Sequence, residues 1–313
     1  MINNKFTQKI RAIIKNNSIK NNNWDNFSQV EILSSYDGVI QKAFFYRTAN
    51  DNKMPLIISL HPWSLNYTAR DPISNLIKNE DWNYIHPDFR GPNNTPNAMM
   101  SDAVIQDIDD SIAYAVNNSN VDLTRIIVVG SSGGGLAVLG VYLKSKYQLK
   151  LCMAWCPISD LEIWYYQSRY ANTKYYQDIL RATNSVEILN TKEARNRSPI
   201  YYPPRTCNTQ LELYAGINDG YTGSVPIIHT IAFFNKIAES LGAENDEIIS
   251  DKETISLISR SIKYDENNGY IDNRRILYKK SYKTISMCIF DGGHEILEKY
   301  AYTRIKEICS MSY

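Results

Sequence analysis

Short apolar, β-branched runs recur along the chain at residues 29–33, 40–46, 56–60, 82–86, 125–129, 149–155, 211–214 and 285–290, and each predicts a strand. Between the later runs the period changes. Over residues 103–116 Val104, Ile108, Ile112 and Ala115 fall on one helical face, while Asp107, Asp109 and Asp110 fall elsewhere. A second helix is expected after Ser224, which can cap it, with Pro226 in its first turn and Gly242 at its end. Its buried stripe would be Ile227, Ile231, Phe234, Ile237 and Leu241. Strands alternating with helices imply a mostly parallel sheet covered on both faces. The opening strands have no helix between them, which implies an antiparallel edge. The expectation is therefore an eight-stranded α/β fold.

With 313 residues the chain is long enough for one large domain, read as residues 28–313 behind an N-terminal extension of residues 1–27. The only linker-like stretch is 16–23. Two segments depart from the alternation. Residues 159–202 are rich in aromatics, Trp164, Tyr165, Tyr166, Tyr170, Tyr175 and Tyr176 among them, and follow the strand that ends at Trp155. A segment placed there would cap the carboxyl ends of the strands, its rings either stacking on a flat ligand or packing the cap onto the body. Residues 243–280 read as a small insertion, with a short helix carrying Ile255, Leu257 and Ile258 and a hairpin turned at Asn267-Asn268-Gly269.

A formal net charge of +1, with no basic block or acidic tail, argues against nucleic acid or an anionic membrane as the main partner. No apolar run approaches the ~20 residues that span a bilayer, and the Lys/Asn-rich start has no apolar leader core. A soluble, cytoplasmic protein is the expectation; its oligomeric state is left open. Cys152, Cys156, Cys207, Cys288 and Cys309 are scattered without zinc-site spacing and read as reduced thiols. Neither a metal nor a cofactor is implied.

The chemistry begins at Gly130-Ser131-Ser132-Gly133-Gly134, directly after the strand residues Ile126-Ile127-Val128-Val129. A strand–Gly-x-Ser-x-Gly–helix pattern places its serine on a sharp, strained turn whose flanking positions must be small. Glycine spacing selects Ser132 over Ser131. A serine hydroxyl needs a base to take its proton, and the base needs a third group to fix its tautomer. Of the four histidines, His294 follows the last strand in Asp291-Gly292-Gly293-His294 and is the expected base. The acid should follow the penultimate strand, where Asp219 stands; Asp160, one strand earlier, is the alternative. An oxyanion would be held by the Gly133 N–H at the start of the next helix and by Trp63 in Leu60-His61-Pro62-Trp63, since Pro62 has no N–H. His61, Trp155, Trp164 and Tyr165 are candidates to line the substrate pocket.

These residues, with His86-Pro87-Asp88-Phe89-Arg90-Gly91-Pro92-Asn93, Gln106-Asp107-Ile108-Asp109-Asp110 and Val121-Asp122-Leu123-Thr124-Arg125-Ile126, resemble the prolyl-oligopeptidase-like branch of the α/β-hydrolases over about residues 28–309. The resemblance implies an α/β-hydrolase fold and a Ser132–Asp219–His294 triad, and assigns Arg90 and Arg125 to ion pairs within the fold. The chain departs from the branch's peptidases in having no room for a β-propeller and no paired glutamates for a peptide amino terminus. Its elbow carries Ser131 and Gly133 where those peptidases have Gly and an aromatic. On this reading the protein cleaves a small-molecule carboxylic ester, such as an acylated sugar, through an acyl-enzyme. An exopeptidase or amidase, an acyltransferase using the same triad, and a catalytically silent binding protein are the alternatives.

Overall fold

The computed structural model describes residues 24–205, 207–263 and 265–310. Most of the expected extension 1–27 and the stretch 16–23 therefore lie outside the described residues. Ten strands form the sheet: β1 (Ser28–Leu33), β2 (Ile40–Tyr46), β3 (Met54–Leu60), β4 (Asn83–Pro87), β5 (Val121–Ser131), β6 (Leu151–Trp155), β7 (Gln210–Gly216), β8 (Tyr270–Ile271), β9 (Arg274–Tyr282) and β10 (Ile285–Phe290). Their order is β1-β2-β4-β3-β5-β6-β7-β10-β9-β8. The strands from β4 across to β10 run parallel, while β1 and β2 at one edge and β8 and β9 at the other are antiparallel.

The expected count of eight is thus short by two. Both extra strands begin in the segment read as a small insertion at 243–280, and they extend the sheet beyond β10. Its hairpin also turns elsewhere. Asn267-Asn268 form a 3₁₀ turn, and the chain reverses between Ile271 and Arg274. The short helix is present as α8 (Asp251–Ile258), closed at its start by reciprocal Ser250 and Glu253 capping bonds.

Core residues alternate between the two faces of the sheet, as period-2 pleating requires. On one face Cys152 and Ala154 of β6 join α2 (Asp102–Asn118), α3 (Gly133–Lys144) and α7 (Ile228–Ser240). On the other, Leu151, Met153 and Trp155 pack with α1 (Ser74–Asn79) and α9 (Glu298–Ser310). Residues 159–202 fold as α4 (Leu161–Tyr170), α5 (Tyr175–Ala182) and α6 (Thr191–Asn196), with a 3₁₀ turn at Pro199–Tyr201.

Two polar expectations change on α2 and α7. Asp107 and Asp109, assigned off the apolar face, are buried. Asp107 accepts Arg90 Nε at 2.5 Å and the Ser34 hydroxyl, and Asp109 accepts Ser145 Oγ at 2.6 Å. Arg90 also reaches Asp37, and Arg125 pairs with Asp122, so both arginines serve the fold. Ser224 does not cap α7, whose first turn follows Ile227 without a side-chain cap; its carbonyl instead accepts the Trp164 indole N–H at 2.8 Å. Gly242, at φ +91°, stands just past the helix end as expected.

Candidate active site

The carboxyl ends of β5, β7 and β10 bring the predicted groups to one rim. Ser132 follows β5 at φ +57° and ψ −119°, a left-handed backbone that a non-glycine residue adopts only under strain. Its N–H donates to the Trp155 carbonyl at 2.9 Å, which fixes the turn against β6. A Cβ on Gly130 would come within 2.7 Å of the Gly134 carbonyl group, so the spacing that singled out Ser132 is a steric requirement.

Asp219 and His294 lie on loops that continue the pairing of β7 with β10. Ile217 N donates to the Phe290 carbonyl at 2.9 Å and Asn218 N to the Gly292 carbonyl at 3.0 Å. That pairing delivers Asp219 Oδ2 to 2.7 Å from His294 Nδ1. The other carboxylate oxygen accepts the N–H groups of Gly220 at 2.9 Å and Val225 at 3.0 Å. Asp219 is buried, with both oxygens satisfied, and His294 is partly exposed above it. Gly223 is pressed against this pair: a Cβ there would collide with Asp219 Oδ1 and lie 2.6 Å from His294 Cβ. Nothing in the sequence around Gly223 announces that role.

The alternative acid is otherwise engaged. Asp160 caps α4 by accepting the N–H groups of Glu162 and Ile163, and accepts the Tyr201 hydroxyl at 2.9 Å. His86 and His229 are internal. His86 Nδ1 faces the Ser59 carbonyl at 2.7 Å, and burial, with the His61 ring adding to it and Asp71 opposing, lowers its pKa to about 4. His229 Nε2 faces Gln167 Oε1 at 2.8 Å, and burial lowers its pKa to about 3.

Trp63 meets the elbow from the loop after β3. A Cβ on Gly133 would lie 2.5 Å from Trp63 N, so the two backbones touch. Among the described residues neither N–H donates to a protein acceptor, and such paired donors beside a serine are what an oxyanion needs. Ser132, Trp63 and His294 line one cavity of about 440 Å³, with Leu65, Tyr175 and Ile296 supplying apolar wall. A larger hollow of about 910 Å³ lies at the opposite ends of the strands, by Asp122, Lys150 and Thr284, and contains none of the predicted groups.

The aromatic residues expected to face substrate pack inward instead. Trp155 stacks on Tyr214 at 4.3 Å in the core layer beneath the sheet. Trp164 and Tyr165 are buried in the cap, the former edge-on to Trp63 at 4.6 Å. His61 is buried, stacked on Phe89 at 4.0 Å, with Nε2 facing the Asp88 carbonyl at 2.7 Å. Tyr175, not singled out from its neighbours in sequence, is the cap aromatic that reaches the cavity.

Cys156 Sγ, an Asp219 oxygen and a His294 ring nitrogen lie within 4.8 Å of one another, a set that could in principle ligate a metal. The Cys156 thiol faces the Gly293 carbonyl at 3.8 Å and the Glu295 carbonyl at 3.7 Å, and burial pushes its pKa well up, the Asp219 charge adding to that. With Asp219 Oδ2 and His294 Nδ1 hydrogen-bonded to each other and the thiol turned to backbone carbonyls, the arrangement is that of a carboxylate–imidazole pair beside a thiol. No helix among the described residues is long and apolar enough to cross a membrane.

A profile of the prolyl oligopeptidase family matches residues 75–253, more than half of the chain. The chain belongs to that family. The matched stretch carries Ser132 and Asp219, and His294 lies beyond it. Among solved structures, the fold is similar to that of an acylaminoacyl peptidase in complex with Z-Gly-Gly-Phe-chloromethyl ketone, at TM-score 0.61 and 16% identity over 90% of this chain and 40% of that one. The Pyrococcus horikoshii acylaminoacyl peptidase is similar at TM-score 0.60 and 16% identity, with 90% and 40% covered. Prolyl oligopeptidase B from Galerina marginata follows at TM-score 0.54 and 15% identity, with 68% and 31% covered. Such identities speak for the fold alone, that of the α/β-hydrolases. The chain spans well under half the length of these structures. No curated protein matches it.

Proposed function

We propose that this family member is a serine hydrolase that cleaves an acyl bond, with an amide or peptide bond as the favoured target. The observation that carries the reading is the 2.7 Å contact from His294 Nδ1 to Asp219 Oδ2 beside a strained Ser132 that lines the same cavity. His294 takes the Ser132 proton as the hydroxyl attacks the carbonyl, then returns it to the leaving group. Asp219 holds the imidazole in the tautomer whose Nε2 is free to accept. Gly133 and Trp63 N–H receive the negative charge that develops on the carbonyl oxygen. Water, activated by His294, then releases the acyl group.

Two observations move the target away from an acylated sugar. The similar structures above are named as peptidases. Trp155, Trp164 and Tyr165, the rings expected to line the substrate pocket, are buried. A panel of p-nitrophenyl acyl esters beside N-acyl aminoacyl-p-nitroanilides tests the choice: anilide turnover is expected, and ester turnover alone would restore the esterase reading. Fluorophosphonate labelling tests the site itself. Labelling should vanish in Ser132→Ala, and a variant that still reacts would exclude Ser132 as nucleophile.

A further inference from the structure

Trp63 is the residue at which the cap touches the oxyanion loop. Its indole N–H donates to Asp178 Oδ2 at 3.0 Å, and both side chains are buried. Asp178 belongs to α5, the helix whose Tyr175 forms cavity wall, and its other oxygen pairs with Arg181. The Trp63 carbonyl is held separately, accepting Asn93 N at 2.9 Å and Asn93 Nδ2 at 3.3 Å. The residue is therefore fixed through its carbonyl from one side and its indole from the other. Between these anchors sits the N–H assigned above to the oxyanion. A buried carboxylate is a strong acceptor for an indole, and removing it strands a buried donor that the loop must move to satisfy.

Resting on the reading given under Proposed function, we propose that Asp178 is a positioning residue for the oxyanion site, acting through the Trp63 indole. Cap helix α5 then governs the chemical step as well as the shape of the cavity. The cap and the oxyanion donor form one unit.

The test is the kinetics of Ser132 labelling by a fluorophosphonate, which develops charge on the same oxygen position, separated into the maximal rate and the half-saturating concentration. Counting only molecules that label to completion removes misfolded protein from the comparison. Asp178→Ala should slow the maximal rate about tenfold or more, short of the ~10²–10³ for outright loss of a donor, with half-saturation nearly unchanged. Asp178→Asn, which keeps an acceptor oxygen, should retain most of the rate. Trp63→Phe keeps the backbone N–H but loses the indole bond, so it should match Asp178→Ala, and the double variant should be no slower than either single one. An unchanged rate in Asp178→Ala, an equal loss in Asp178→Asn, or multiplicative losses in the double variant would each overturn the proposal. Labelling that persists in Ser132→Ala would instead overturn the underlying assignment of the site.

Discussion

At the scale of single residues the decisive features are absences of atoms. Gly223 has its α-carbon against both Asp219 and His294, and even one methyl group there has nowhere to go. Gly223→Ala should therefore lower turnover roughly 10²-fold, the scale expected when a catalytic group is displaced by about 1 Å. Circular dichroism should show an unchanged fold; full activity in the variant would mean that the pair tolerates displacement. The contrast with Gly130 shows what a sequence exposes. The Gly130 constraint arises within five residues and reads directly as Gly-x-Ser-x-Gly. The Gly223 constraint exists only after β7 and β10 pair, so its flanking residues carry no trace of it. The aromatic residues fail for a related reason: their density in 159–202 is visible, but which ring faces the cavity depends on how α4 and α5 dock. Trp164 and Tyr165 turned inward, and Tyr175 reached the site.

At the scale of elements, strands and helices with clear apolar periods were legible, and polar residues with distant partners were not. Asp107 falls off the expected apolar face of α2, and its burial is not legible there because its partners Arg90 and Ser34 come from other parts of the chain. This cluster ties α2 to the turn after β1. Asp107→Ala leaves Arg90 with Asp37 alone and takes the acceptor from the Ser34 hydroxyl, so it should cost about 1–3 kcal/mol. Chemical denaturation would register that loss, and a change under about 0.5 kcal/mol would show that Asp37 alone satisfies the arginine. Strand β9, expected only as an arm of a hairpin in the small insertion, is not legible as part of the main sheet for a different reason. Arg274, Arg275, Lys279 and Lys280 interrupt its apolar residues, as suits a strand near a sheet edge, and no apolar run signals it.

For the molecule as a whole, His86 and His229 tie stability to pH. Both are buried and held neutral, with folded-state pKa values of about 4 and about 3. The unfolded chain binds protons at these sites near pH 6.5, so between that value and the folded ones it holds more protons than the native state. Stability is therefore greatest above about pH 6.5 and falls as pH drops, by on the order of 3 kcal/mol per histidine once pH reaches 4. Thermal unfolding followed from pH 7 to pH 4 should show a steadily falling midpoint. His229→Gln should flatten part of that slope, and an unchanged slope in the variant would place the sensitivity elsewhere.

Ile217 and Asn218 sit past the last assigned residue of β7, yet their amides close bonds to Phe290 and Gly292 as though the strand had not ended. Their protons should consequently be replaced by deuterium as slowly as those of the strand interior, although both belong to a loop. Asp219 and His294 would then ride on one stiff ribbon, so that thermal breathing at this rim carries the carboxylate and the imidazole together and leaves their separation intact.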